Sequence, residues 1–240
     1  MHRRVVLLAC FAYFAATAQP RAVAVPYVGC RSDTFVEGPL EAPSARPKEI
    51  RISPAAAQRL AYYEAAVASG VLGPRGWYCF GYLGSAGATF EISPRPISAD
   101  GPDLSGPLIL LTTRSAETSG RFDVATIIAR VFPAHRDFVT RLASEGLPLN
   151  FSFPSGPYPK DQLSYQSTEV VEYETPAQAD GLGTYSGLKK NADPIRGEAM
   201  LMPPALDLAL VAVRLPADLR DLTSAIVQHF DCCSYSTRGR

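Results

Sequence analysis

The chain has 240 residues, 47% of them hydrophobic, with 23 basic and 23 acidic side chains. This balance leaves no electrostatic footprint for nucleic acid and no basic face for anionic lipid. The length suits one sizeable core or two small ones, and 21 prolines with 18 glycines predict long irregular connections.

Met1-His2-Arg3-Arg4 precedes the apolar run VVLLACFAYFAA and then Ala16-Thr17-Ala18. A short basic region, an apolar run and a small-x-small site describe a secretory signal peptide over 1–18. Ala22-Val23-Ala24 offers a second cleavage site. The run is too short for a spanning helix, which needs about 20 apolar residues. No later stretch compares with it, so no membrane span is expected once the signal is removed. Leu7 to Cys10 also resembles a lipobox that would lipidate Cys10. The apolar run before that cysteine is short and continues past it, which argues against a lipoprotein. Export to the periplasm or the extracellular space is expected.

Residues 19–52 read as an extended, Pro-rich lead, mostly loop with at most a short strand. Ser53-Pro54 then opens a helix, since Ser suits the cap and Pro the first turn. Ala56, Leu60, Tyr63 and Val67 follow at steps of four, three and four, and Gly70 is the stop. The stretch RGWYCFGYLG is too aromatic and too Gly-punctuated for a helix and predicts a strand. On it Trp77 and Cys79 face one way, and Tyr78, Phe80 and Tyr82 the other. GSAG is the turn and ATFEIS the returning strand of a hairpin.

PLILLTT predicts a short buried strand. DVATIIARVF places Val124, Ile127, Ile128 and Val131 at helical steps before Pro133. A shorter helix ends at Gly146, and a Pro-rich segment follows. STEVVEYET is a strand, and residues 176–199 read as a long irregular excursion. LDLALVAVRLP is a buried strand, and ADLRDLTSAIVQHF a helix with Leu219, Leu222 and Ile226 inward. The sum is an α+β fold, three or four helices packed on a mostly antiparallel sheet. It forms a single domain over 53–233, with a C-terminal tail at 234–240.

Cys30, Cys79, Cys232 and Cys233 remain after the signal is cut. An even count in an exported chain implies disulfides, and four cysteines permit three connectivities that spacing cannot separate. His229 precedes Cys232 and Cys233 by three and four residues, which is ligand chemistry for zinc or copper. A complete site needs more ligands, and no C-x-x-C or H-x-x-x-H occurs. No metal and no cofactor is therefore expected.

Catalytic signatures are missing. YLGSAG has Leu83 where a nucleophile elbow needs its first glycine. No P-loop, G-x-G-x-x-G, H-E-x-x-H or calcium loop is present. A hydrolase assembled from Ser85 or Ser155 with His135 or His229 has no support in spacing. The remaining candidate is the aromatic stretch itself, Trp77, Tyr78, Phe80 and Tyr82, which offers stacking surface to a sugar or anchors to a protein. Tyr158, Tyr165, Tyr173 and Tyr185 stand in loop-like sequence and are further candidates for such a surface. The simpler expectation is that the rings at 77, 80 and 82 build a core beside a disulfide.

Gly76-Trp77-Tyr78-Cys79-Phe80-Gly81, with the helix before it and the Gly-Ser turn after it, resembles a segment of uncharacterised exported bacterial proteins. The likeness spans about residues 55–96 and implies a bacterial envelope setting. It carries no catalytic residue across. The sequence thus reads as an exported, disulfide-stabilised protein with a non-catalytic binding or structural role, its partner an envelope protein or glycan. The competing reading is a small envelope hydrolase or thiol enzyme using His229 with Cys232 or Cys233.

Overall fold

A computed structural model describes residues 22–97, 101–146 and 152–230. Residues 1–18, read above as a signal peptide and including Cys10, the pair Cys232 and Cys233, and the tail from 234 lie outside the described residues. Strand exceeds helix, 39% against 22%. The molecule is therefore a sheet protein with a few short helices, not the α+β arrangement of three or four helices on a sheet.

The first reason lies in the N-terminal stretch, which is not mostly loop. It carries β1 (Ala22–Val25), β2 (Tyr27–Cys30), β3 (Ser32–Thr34), β4 (Gly38–Leu40) and β5 (Lys48–Arg51). The second reason is the helix expected from Ser53 to Gly70. Its start is as read: Ser53 Oγ accepts from the Ala56 amide at 3.1 Å and Pro54 sits in the first turn. But α1 (Pro54–Arg59) ends after six residues. The chain then runs as β6 (Leu60–Ala65) and returns as β7 (Ala68–Pro74). Every residue of both strands is buried. A strand covered on both faces shows an unbroken apolar run, in which steps of three and four arise without a helix. Tyr62 and Tyr63 favour the strand. Gly70 is no stop; a Cβ there would fall 2.1 Å from the Tyr62 ring.

The hairpin follows as β8 (Tyr78–Gly84) and β9 (Gly87–Ser93), with Gly84 opposite Gly87 across a two-residue turn. Next come β10 (Leu108–Arg114), α2 (Arg121–Val131) and α3 (Arg136–Ser144). The predicted face of α2, Val124, Ile127, Ile128 and Val131, is buried. Beyond it lie β11 (Gln162–Tyr165), β12 (Val170–Thr175), α4 (Leu182–Tyr185), β13 (Ile195–Met202) and β14 (Asp207–Arg214). The stretch read as an irregular excursion therefore contains α4 and most of β13. The last predicted helix is a 3-10 turn, Ala217–Leu222, that leads into α5 (Thr223–Gln228).

Nine strands form one sheet in the order β11-β12-β13-β14-β10-β9-β8-β3-β4. All its pairings are antiparallel except β3 with β8. A second sheet has the order β2-β6-β7, and β1 pairs with β5. Register fixes which residues share a face. Tyr173, Gly197, Ala212, Leu110, Glu91 and Phe80 lie side by side across the large sheet on its front. One step along, Glu172, Glu198, Val211, Leu111, Phe90 and Gly81 cross its back.

The small sheet and α5 cover the back, where Tyr63, Leu72, Phe90, Leu111, Val211 and Ile226 form the main core. Close approach is needed there. A Cβ on Gly81 would meet Val67 at 2.8 Å and Ala65 at 2.9 Å. A disulfide joins the sheets, Cys30 in β2 to Cys79 in β8, with Cα atoms 5.5 Å apart. On the front, α2 packs over Val171, Ala199 and Leu210, and Leu188 with Ile195 packs over Leu108 and Leu110. No helix among the described residues is long and apolar enough to cross a membrane.

Candidate binding face

The front-face clusters reach from β12 to β10, and Tyr78 and Tyr82 beyond them are 50% and 45% exposed. Alternation along β8 sets their direction. Trp77 and Cys79 pack against the main core on the back, and the Trp77 amide donates to Tyr63 Oη at 3.2 Å. Tyr78, Phe80 and Tyr82 point to the front, about 7 Å apart along the strand. Phe80 is half-buried. The aromatic stretch therefore divides: Trp77 belongs to the stapled core, and Tyr82, expected there with it, stands on the surface.

The neighbouring turn adds two residues that sequence reasoning missed. Phe35 is 77% exposed and Val36 88%. The Phe35 amide donates to the Leu83 carbonyl at 3.0 Å, which seats the turn beside β8. Thr34 Oγ1 accepts from the Glu37 amide at 2.8 Å, and Gly38 takes a φ of +78° to close it. The available signal was an apolar pair between turn formers in SDTFVEG, too short to show any period. A hollow of about 390 Å³ lies between Phe35, Tyr82, Thr89 and Arg114. Arg114 is held by Asp123 Oδ2 at 3.0 Å and by the carbonyls of Ala88 and Thr113 at 3.2 and 2.9 Å. Phe35 and Tyr82 line this hollow, Val36 follows Phe35 in the turn, and Tyr78 stands at the other end of β8; they are four of the five exposed large apolar side chains among the described residues.

Glu91 lies between Phe80 and Leu110 on the same face, and burial pushes its carboxyl up to about 7. On the back, burial and then the charge of Glu172 push Glu198 up to about 7. In both, the folded protein holds the proton more tightly than the unfolded chain. Their contribution is full below the unfolded carboxyl range and is lost as pH rises through 7. Thermal and urea unfolding should show a more stable protein at pH 5 than at pH 8. Glu198→Gln, whose parent residue is 8% exposed, should gain about 1–3 kcal/mol at pH 8 and little at pH 5. Equal gains at both pH values would refute the assignment.

The other sequence candidates are dispersed. His229 has Nδ1 3.0 Å from the Ala225 carbonyl and Nε2 3.0 Å from the Arg51 carbonyl. A neutral imidazole carries one N–H and so donates to only one of these two carbonyls. Cys232 and Cys233 lie outside the described residues. His135 faces Glu169 at 3.5 Å, and Ser85 Oγ lies 3.5 Å from Ser119 Oγ. No group of three metal-ligating side chains occurs among the described residues. Of the loop tyrosines, Tyr173 is buried and donates to the Val211 carbonyl at 2.9 Å. Tyr165 is exposed on β11, at the far edge of the sheet. Tyr158 and Tyr185 line a separate cleft. Compared with family models, curated proteins and solved structures, the chain matches none.

Proposed function

We propose that this is an exported, disulfide-stabilised, non-catalytic binding protein that holds a protein partner at the face built from Tyr78, Tyr82, Phe35 and Val36. One observation carries the reading: four of the five exposed large apolar side chains among the described residues lie on β8 or on the turn after β3. Contiguous exposed apolar surface marks interaction sites. Tyrosines and a phenylalanine are the residue types that anchor interfaces, and Asp33, Glu37 and Thr89 supply a polar rim. Val36 has no ring to stack on a sugar, which favours a protein over a glycan. The leader pattern, the Cys30–Cys79 bond and the likeness to exported bacterial proteins support an oxidising compartment.

Photo-crosslinking in cells tests this. A photoreactive residue at 36 or 78 should give a discrete protein adduct, and one at Lys160 should give none. Tyr78→Ser with Tyr82→Ser should abolish the adduct formed from position 36. The same double change should shift unfolding by less than about 1 kcal/mol, because both side chains are half exposed. An adduct that resists protease and yields to glycosidases would reassign the partner to a glycan. Identical adducts from all three positions, or none, would refute the face. N-terminal sequencing of the exported form should begin after Ala18.

A further inference from the structure

A second cleft lies between α2, α4 and the segment 152–158. Phe122, Asp123, Thr126 and Arg130 project from one side of α2, since their spacing returns to that side at each turn. Phe153, Tyr158 and Tyr185 complete the walls around about 450 Å³, within the range of small-molecule sites. Four aromatic rings surround one acid and one base.

The acid is satisfied and the base is not. Asp123 accepts from Tyr185 Oη at 3.0 Å on one oxygen and from Arg114 Nε at 3.0 Å on the other. Arg130 lies over the Tyr158 ring, 4.1 Å from its centroid, and Nη1 donates to the Gly156 carbonyl at 3.2 Å. Its Nε–H is buried with no hydrogen-bond partner. No carboxylate among the described residues lies within ion-pair distance of it. The acid that influences it from farther off, Asp161, spends its oxygens on Thr175 Oγ1 at 2.7 Å and the Leu182 amide at 2.8 Å. Burial keeps the Tyr158 and Tyr185 phenols neutral. The cleft therefore presents a guanidinium among rings, offset only at a distance by Asp161 and with its Nε–H unused. A half-buried cation with an unused donor is an unusual arrangement in the free protein. A carboxylate completes it, because the guanidinium fork matches carboxylate geometry.

We propose that this cleft binds a small carboxylic acid with a flat apolar body, the carboxylate on Arg130 and the body among Phe122, Phe153, Tyr158 and Tyr185. Binding is reversible and involves no bond making. It does not depend on the partner face, although the Arg114–Asp123 pair connects the two.

Isothermal titration of the whole chain with sodium phenylacetate tests the proposal, alongside phenylacetamide, which has the same shape and no charge. The acid should bind one to one, and the amide at least about tenfold more weakly, the cost of losing a charged hydrogen bond. Arg130→Gln should weaken the acid by a similar factor and leave the amide unchanged. Thr126→Met narrows the cleft while leaving the Arg130 guanidinium in the chain and should abolish both. This second variant, with the acid–amide pair on the unaltered protein, decides the matter if Arg130→Gln does not fold. Equal affinity for acid and amide would overturn the proposal, as would binding unaffected by Thr126→Met. Failure of phenylacetate, benzoate and 3-phenylpropionate alike to show saturable binding would overturn it too.

Discussion

Replacing Cys30 and Cys79 together by alanine is expected to lower the unfolding free energy by about 4 kcal/mol, read from urea denaturation at neutral pH. The bond spans 49 residues. Crosslinking a loop of that length removes conformational freedom from the unfolded chain, and the gain grows with the logarithm of loop length. The loop holds β3 to β7, so the bond ties the second sheet to β8 across the main core. Cys30 is 1% exposed, and alanine avoids burying a hydroxyl there. A domain of this size is stable by about 5–15 kcal/mol, so the loss would be a large fraction of the total. Reductant added to the unaltered protein should reproduce it. A loss below about 1 kcal/mol would mean that the packing of Val67 and Ala65 on Gly81 holds the sheets without the bond.

What the sequence made legible depended on whether pattern and environment agreed. The β8–β9 hairpin was readable because two glycines frame a two-residue turn between aromatic and β-branched runs. The apolar runs of β10 and β14 announced burial, and the four-residue face of α2 announced its helix. The span from Leu60 to Gly70 failed for the opposite reason. Burial on both faces erased the alternation that marks a strand, and a chance spacing of Leu60, Tyr63 and Val67 imitated a helix. The five strands before residue 53 are three or four residues long, too short for any period to show. In β13, Arg196, Gly197 and Glu198 interrupt the apolar pattern, although Glu198 is buried against the back of the sheet.

The site was half legible. The opposite directions of Trp77 with Cys79 and of Tyr78, Phe80 and Tyr82 follow from strand geometry alone. Which direction leads to solvent depends on where α2 lands, and a tertiary arrangement of that kind leaves no local mark. The second cleft is less legible still. Arg130 comes from a helix, Tyr158 from a Pro-rich segment and Tyr185 from a stretch read as irregular. Nothing in the spacing of these three segments foretells that they meet.

Arg214→Met is expected to destabilise the protein by about 3–5 kcal/mol. Arg214 ends β14 and is 1% exposed. It donates from Nε to the Gly106 carbonyl at 2.9 Å, from Nη1 to Lys189 at 2.6 Å and from Nη2 to Leu104 at 2.5 Å. These carbonyls belong to two loops that close over the front of the sheet beside Leu108, Leu110 and Leu188. The loops also meet directly, Lys189 amide to Leu104 carbonyl at 2.9 Å and Asn191 Nδ2 to Ser105 carbonyl at 2.7 Å. Burial pulls the pKa of the guanidinium down while Asp193 and Asp103 push it up, and an arginine stays charged under that opposition. Methionine fills much of the same volume, so the loss measures the three hydrogen bonds more than a cavity. Arg214→Lys separates charge from shape: an ammonium keeps the charge but cannot present the flat fork that reaches three carbonyls at once. It should recover only part of the stability. Full recovery by lysine would show that the loops need a cation there and nothing more. A methionine variant within about 1 kcal/mol of the parent would show that water satisfies the carbonyls and that the loops close without the arginine.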